Sequence, residues 1–282
     1  MTQQGVLYVI ATPIGNLADI SARAREVLGL ADLVASEDTR RTGRLLQALG
    51  LSRPMLSLHE HNERARTPGL LERLQAGEVV ALVSDAGTPL VSDPGFLLVR
   101  AAIDAGIKVS AVPGPCAAIA ALSVAGLPTD RFVFEGFLPA RTGARRRRLE
   151  LLARETRTLV FYESPQRLVA SLGDLAAACG DQRRACVARE LTKLHESLYH
   201  GSLDQLLARA RVDADMQRGE LVLVVEGAPT ESTADAQEAD RVLGVLVKSL
   251  PPSQAAGIAS ALTGLSRQAC YARALELTGR GT

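Results

Sequence analysis

Ser84, Asp85, Gly87, Thr88 and Pro89 follow directly on an apolar run, Val79 to Val83, and Ser92-Asp93-Pro94-Gly95 comes just after them. Hydroxyls, carboxylates and glycine at the carboxyl end of a buried strand are what an open α/β sheet uses to bind a small ligand. Gly87 lets a ligand approach the backbone, and Pro89 and Pro94 fix the chain on either side. One such turn alone reads as a loop that reverses the chain; two in tandem read as a site. A second group, Arg189-Glu190-Leu191-Thr192-Lys193-Leu194-His195-Glu196, packs titratable side chains behind another apolar run, Ala185 to Arg189. It is either a solvated loop closed by its own ion pairs, worth little to stability, or a source of acid-base groups at a strand end. A third group, Arg141, Arg145, Arg146, Arg147 and Arg148, contains no acid. Four consecutive arginines surround a helix rather than lining one face. Guanidinium groups suit phosphate, so RNA contact is predicted ahead of a solvated helix face.

Other chemistry is excluded. There is no G-x-x-x-x-G-K-[ST], and the only G-x-G, Gly279-Arg280-Gly281, has no strand before it, so nucleotide-loop readings lose their support. His59 and His61 alternate, yet nothing supplies further ligands at a metal-binding spacing. His195-Glu196 with His200 misses H-E-x-x-H by one residue, and the segment from Leu198 reads as strand. No metal is predicted.

These groups must be held by strands and helices in alternation. Strands are predicted at 6–11, 33–36, 79–83 and 107–112, with helices at 20–30, 39–49, 63–75 and 96–105 between them. That order implies a mostly parallel sheet covered on both faces. Pro113-Gly114-Pro115 reads as a hinge. A second α/β series follows, with strands at 132–134, 159–162, 185–189 and 221–225 and helices at 149–153 and 168–179. Its short connections favour a mixed sheet. The expected division is 1–115 and 116–228 for two α/β domains, a polar linker over 229–240, and a helical unit over 241–282. In that unit Pro252 and Ser253 start one helix, Thr263-Gly264 breaks it and Ser266 caps another. Two helices across a glycine turn, the second bearing Arg267, Gln268, Tyr271 and Arg273, are either a helix-turn-helix or a cap that completes a packing contact.

The 282 residues are 47% hydrophobic and 22% charged with net charge +1, enough for two or three ordinary domains, and neutral balance by itself names no partner. Aromatics are 3% and Trp is absent, so the cores must be Leu, Val and Ala. Cys116, Cys179, Cys186 and Cys270 form no C-x-x-C pair, which suits reduced thiols and a cytoplasmic setting. The first residues lack a basic region and a signal core, and no apolar run approaches the ~20 residues that span a bilayer. No membrane association is predicted.

The strand-end turns occur in a distinctive order: T-P-I-G-N at 12–16, S-E-D-T-R at 36–40, the two turns of 84–95, and V-P-G-P at 112–115. Together they resemble the tetrapyrrole methylase superfamily. H-E-H-N-E at 59–63, G-F-L-P at 136–139, F-Y-E-S-P at 161–165 and R-E-L-T-K-L-H-E at 189–196 narrow the likeness to the branch that methylates the cytidine 2′-oxygen of small-subunit ribosomal RNA. The likeness covers residues 6 to about 228, and the branch also carries a small helical carboxyl-terminal unit. One position departs: Gln166 stands where that branch usually has His.

The resemblance implies two α/β domains with the methyl donor, S-adenosylmethionine, in a cleft between them. It places the donor against Pro13, Gly15, Asn16, Ser84, Asp85, Ala86, Gly87, Ser92, Asp93, Pro113 and Gly114, with Tyr162 and Glu163 closing from the second domain. It implies a cytidine in the decoding centre of 16S rRNA, presented naked or in the small subunit, and a homodimer. Transfer to a ribose 2′-hydroxyl needs that hydroxyl aligned and its proton removed or polarised. Lys193, one of three lysines in the chain, is the first candidate, as a base made less basic by burial and arginine neighbours or as an electrostatic orienter. Glu190 and His195 come next. The rivals are a small-molecule tetrapyrrole methylase, against which the arginines and the extra helices count, and a non-catalytic nucleic-acid-binding protein.

Overall fold

The computed structural model describes residues 5–229 and 233–278. The chain forms two compact units, 1–228 and 229–282.

In the first unit, β1 (Val6–Ile10), β2 (Leu33–Ser36), β3 (Met55–Ser57), β4 (Val79–Val83) and β5 (Lys108–Val112) form a parallel sheet in the order β3-β2-β4-β1-β5. Helices α1 (Ala22–Leu30), α2 (Thr39–Ala48), α3 (Glu63–Gln75) and α4 (Phe96–Asp104) make the crossovers. Both faces are covered, which is why these strands read as unbroken apolar runs. Val80 and Leu82 of β4 enter one core with Leu7, Leu33 and Leu98, while Ala81 and Val83 enter the other with Ile10, Val34 and Leu28. β3 escaped the sequence reading because three residues after Pro54 are too few to show a period.

The second sheet has the order β6-β7-β10-β8-β9, from β6 (Phe132–Phe137), β7 (Thr158–Glu163), β8 (Arg184–Arg189), β9 (Ser197–Ser202) and β10 (Leu221–Val225). It is mixed: β6 runs parallel to β7, and every other pairing is antiparallel. Helices α6 (Thr142–Leu152), α7 (Leu168–Cys179) and α8 (Leu203–Val212) accompany it, and α5 (Ala117–Val124) covers its other face through Ala118, Ala121 and Leu122. Ile14, from the turn after β1, belongs to that same core, so packing joins the two sheets.

Three expectations are corrected. The Pro113–Pro115 segment is fastened rather than hinged: a Cβ on Gly114 would lie 3.0 Å from that of Ala11, and the Thr88 hydroxyl donates to the Pro115 carbonyl at 3.0 Å. Helix α6 starts at Thr142 and takes in the arginines, ahead of the expected 149–153. The linker expected over 229–240 is not one throughout, because α9 (Thr233–Leu246) begins inside it. Ala, Gln and Glu favour helix, so polarity alone misled. The rest of the second unit follows its signals. Helix α10 (Pro252–Thr263) ends at Gly264 with φ of 74°, and Ser266 caps α11 (Arg267–Leu277) by accepting from the Ala269 N–H. No helix among the described residues is long and apolar enough to cross a membrane.

Candidate active site

The carboxyl ends of β1, β2 and β4 are laced together by their own turns. Thr12 and Gly87 exchange two backbone hydrogen bonds, at 2.8 and 3.1 Å. Asp85 accepts from the Asp38 N–H at 2.9 Å and pairs with Arg41 at 3.3 Å. A cavity of about 500 Å³ opens here, within the size range of small-molecule sites. Asp85, Ala86, Gly87, Ser92 and Asp93 line one side, and Phe137, Tyr162 and Glu163 line the other. Of the proposed donor residues, these seven that sequence named meet in one place: Asp85, Ala86, Gly87, Ser92, Asp93, Tyr162 and Glu163. Gly87 has φ of 84°, and a Cβ there would come 3.3 Å from Ile14, so a side chain would crowd the floor.

The other six do not line it. Ser84 is buried just below, with its hydroxyl near the Gly87 carbonyl at 3.3 Å. Asn16 spends its side-chain oxygen capping the short turn after it, accepting from the Ala18 N–H. Pro13 shares this turn outside the lining, and Pro113 and Gly114 stand apart from it. Gly15 is bare for another reason: a Cβ would fall 2.3 Å from the Lys193 side chain, which lies across it. Glu163 lines the cavity but its lone pairs are committed, to the Ser164 N–H at 2.7 Å, Arg167 at 2.7 Å and the Ser171 hydroxyl at 2.5 Å. Its visible work is to hold the F-Y-E-S-P turn.

Sequence reasoning missed Glu37, Arg41, Phe137, Gly219 and Glu220, all of which line the cavity. The first three sit in or beside quoted turns and were within reach. Gly219 and Glu220 carry no signal, because only the sheet order brings the start of β10 here.

Electrostatics sort the titratable groups. Burial lifts the Asp93 carboxyl to about 6; a hydrogen bond from Ser84 works against this, and the charges of Glu37 and Asp85 add to it. Glu37 is raised too, by burial first and then by Asp85 and Glu60. Burial also raises Tyr162, whose ring meets Phe134 and Phe137 edge-on at 5.0 and 5.6 Å.

The expectation for Lys193 is corrected. Burial pulls its ammonium down, but Glu190 at 2.8 Å and Glu220 at 3.1 Å outweigh that, and its pKa is raised. It is therefore a held cation and no base at neutral pH. Glu190 is likewise held ionised, since Lys193, the Glu220 N–H and Arg189 overcome its burial. His195 is exposed, and its backbone carbonyl accepts from Arg189. None of the three lines the cavity. His59 is absorbed in the turn that opens α3, its N–H donating to Asn62 at 2.9 Å.

The arginine helix divides. Arg145, Leu149 and Leu152 share the buried face of α6, and Arg145 forms an ion pair with Asp174 of α7 at 2.7 Å. Arg146 takes the other oxygen of Asp174, and Arg148 pairs with Glu135 at 2.6 Å. The structure sets Arg145 apart, buried against Asp174, while Arg141, Arg146, Arg147 and Arg148 are exposed, Arg146 and Arg148 in surface ion pairs and Arg141 and Arg147 without one among the described residues.

A family model described as Tetrapyrrole (Corrin/Porphyrin) Methylases matches residues 6–207. The chain belongs to the tetrapyrrole methylase family. A second model, described as the RsmI C-terminal HTH domain, matches residues 233–278. Among curated relatives, the ribosomal RNA small subunit methyltransferase I of Xylella fastidiosa is 51% identical over 271 residues, covering 96% of this chain and 99% of that one. The protein of the same name from Escherichia coli O157:H7 is 50% identical over 276 residues, covering 98% and 96%. Within the tetrapyrrole methylases the chain therefore sits in the small-subunit methyltransferase I branch. Solved structures share the fold. The methyltransferase CobJ aligns with a TM-score of 0.60 at 22% identity, over 79% of this chain and 95% of that one. A uroporphyrin-III-C-methyltransferase from Thermus thermophilus aligns at 0.55 and 22%, over 79% and 94%.

Proposed function

We propose that this tetrapyrrole methylase transfers a methyl group from S-adenosylmethionine to the ribose 2′-oxygen of a cytidine in the decoding centre of 16S rRNA. The observation that carries the reading is near full-length identity of about half to relatives named for ribosomal RNA small subunit methylation. The cavity fits the donor: its volume suits a nucleoside-sized ligand, and Gly87 keeps its floor open. When bound, the donor supplies an electrophilic methyl group on a sulfonium.

The residues divide the remaining work. Gly87 and Ala86 offer backbone at close approach, and Phe137 and Tyr162 give an apolar wall that excludes water. Glu37 and Asp85 line the opposite side, where carboxylates favour a cationic ligand. Lys193, lying over Gly15 and tied to Glu190 and Glu220, fastens the T-P-I-G-N turn to the start of β10 and takes the orienting part of its expected role. Arg141 and Arg147 are free to meet phosphate. The protein acts in the cytoplasm, as a homodimer on the small subunit or its rRNA.

The test is incubation of purified small subunits, and separately of naked 16S rRNA, with methyl-labelled donor, followed by nuclease mapping. One labelled 2′-O-methylcytidine is expected. Label on a porphyrinoid and none on RNA overturns the reading. Changing Arg141 and Arg147 together to Ala should lower the slope of log affinity against log salt by about 1–2 and leave donor affinity intact.

A further inference from the structure

Asp93 stands two residues before Gly95, the N-cap of helix α4, which has no side chain to cap with. A residue of another helix supplies the missing acceptor. Glu63, buried at the start of α3, reaches across and accepts from the N–H groups of Gly95 at 3.1 Å, Leu97 at 2.7 Å and Leu98 at 3.3 Å. The helix end is therefore satisfied without Asp93, whose carboxylate lines the cavity instead.

The turn is built to hold it there. Leu90 and Ser92 have φ of 71° and 66°, a left-handed backbone that such residues adopt only when their surroundings enforce it. Ser92 lies beside Gly136 of β6, where a Cβ would come 3.0 Å from its hydroxyl. The Ser84 hydroxyl, directed to the Ala86 and Gly87 carbonyls at 3.4 and 3.3 Å, ties the start of the same turn.

The charged and titratable groups around the cavity leave Asp93 distinct. Asp85 is paired with Arg41, Glu163 with Arg167 and Glu220 with Lys193. Glu37 is raised too, by burial, Asp85 and Glu60, but Arg41 and His59 work against this, and Tyr162 keeps its proton. Asp93 has no cation partner among the described residues.

We infer that Asp93 is the proton acceptor of the methyl transfer, receiving the 2′-hydroxyl proton as the ribose oxygen attacks. This rests on the function proposed above. The O2′–CH₃ bond forms as the S–CH₃ bond breaks. The proton passes to the Asp93 carboxylate and then to water, and S-adenosylhomocysteine leaves. A carboxyl lifted to about 6 is still ionised at neutral pH and more basic than an ordinary aspartate, as a general base requires.

The test compares the parent protein with Asp93→Asn and Asp93→Glu, using single-turnover methylation of labelled small subunits between pH 5 and pH 8 and calorimetric donor affinity. The parent rate should rise with pH through about 6 and level off. Asp93→Asn should be slower by about 10²–10⁴ and lose that inflection, with donor affinity within about threefold. Asp93→Glu should recover part of the rate together with a pH inflection. Equal rates for parent and Asn variant overturn the role of Asp93 and leave the proposed function standing. A parallel loss of donor affinity in the Asn variant also overturns it, making Asp93 a donor contact. A parent that transfers no label to RNA overturns the function itself, and this role with it.

Discussion

Among the described residues, two turns hold non-glycine residues in the left-handed region, Leu90 and Ser92 after β4, and Glu190 and Thr192 after β8. Both follow buried strands, both are rich in acids, and both invited a catalytic reading. They differ in what their charges meet. In the second turn Glu190 binds Lys193 and the Glu220 N–H, while Glu196 accepts from the Thr192 N–H at 2.6 Å. Its charged groups satisfy one another, while the buried Thr192 hydroxyl has no hydrogen-bond partner among the described residues. In the first turn Glu63 caps the helix that follows, and Asp93 lines the cavity with no cation partner among the described residues. Strain alone therefore marks a constrained turn. Strain with an unspent carboxylate facing a cavity marks a reactive one.

Removing the outside cap should break this difference most strongly. Glu63→Ala strips charge-assisted hydrogen bonds from three N–H groups at a helix start, a loss of about 2–4 kcal/mol. The same change leaves three N–H groups, two to five residues after Asp93, open to its carboxylate, so the pH inflection of the methylation rate should move below 6. Denaturant unfolding and a rate profile read the two effects separately, and an unmoved inflection would mean that Glu63 does not govern Asp93.

A second expected effect is a stability gain from disabling the site. The Asp93 carboxyl is raised in the folded state, so folding favours its protonated form. That contribution is whole below the unfolded pKa of about 4 and is lost as pH rises through about 6. Asp93→Asn should thus be more stable than the parent by about 1–3 kcal/mol at pH 8, with the advantage vanishing near pH 4. Equal unfolding midpoints at both pH values would show that its burial costs nothing.

Much of this was legible before the fold was known, and the failures have a common physical form. Continuous apolar runs placed β1, β2 and β4, because a strand covered on both faces has few polar positions to confuse it, while β5, an edge strand with Lys108 and Ser110, was placed by Val109, Ala111 and Val112. Proline, glycine and serine placed the ends of α10 and α11, since those signals are local. The arginine helix shows where locality ends. Four arginines in a row must send one toward the core, and the spacing of Arg145 with Leu149 and Leu152 says which. That it would be neutralised depended on Asp174, twenty-nine residues away on α7. Glu63 lies farther still from the helix it caps, and Glu220 reaches the cavity only through the order of the second sheet. Sequence reported which side chains were present at each turn; it was silent on which were already spent.

The smallest expected effect tests the other turn. Lys193→Met keeps much of the aliphatic stem that crosses Gly15 and removes the charge between Glu190 and Glu220. Glu220 is largely exposed and water takes the place of its partner, while Glu190 keeps the Glu220 N–H. The cost should be about 1 kcal/mol, within the range of a partly exposed pair. Because Lys193 is a cation throughout the neutral range, its loss should leave the pH inflection near 6 where Asp93 put it. A modest rate loss with that inflection unmoved identifies Lys193 as a fastening between the first and second sheets. Should the inflection vanish in Lys193→Met and survive in Asp93→Asn, the two turns exchange roles, and the catalytic reading returns to the strand end after β8.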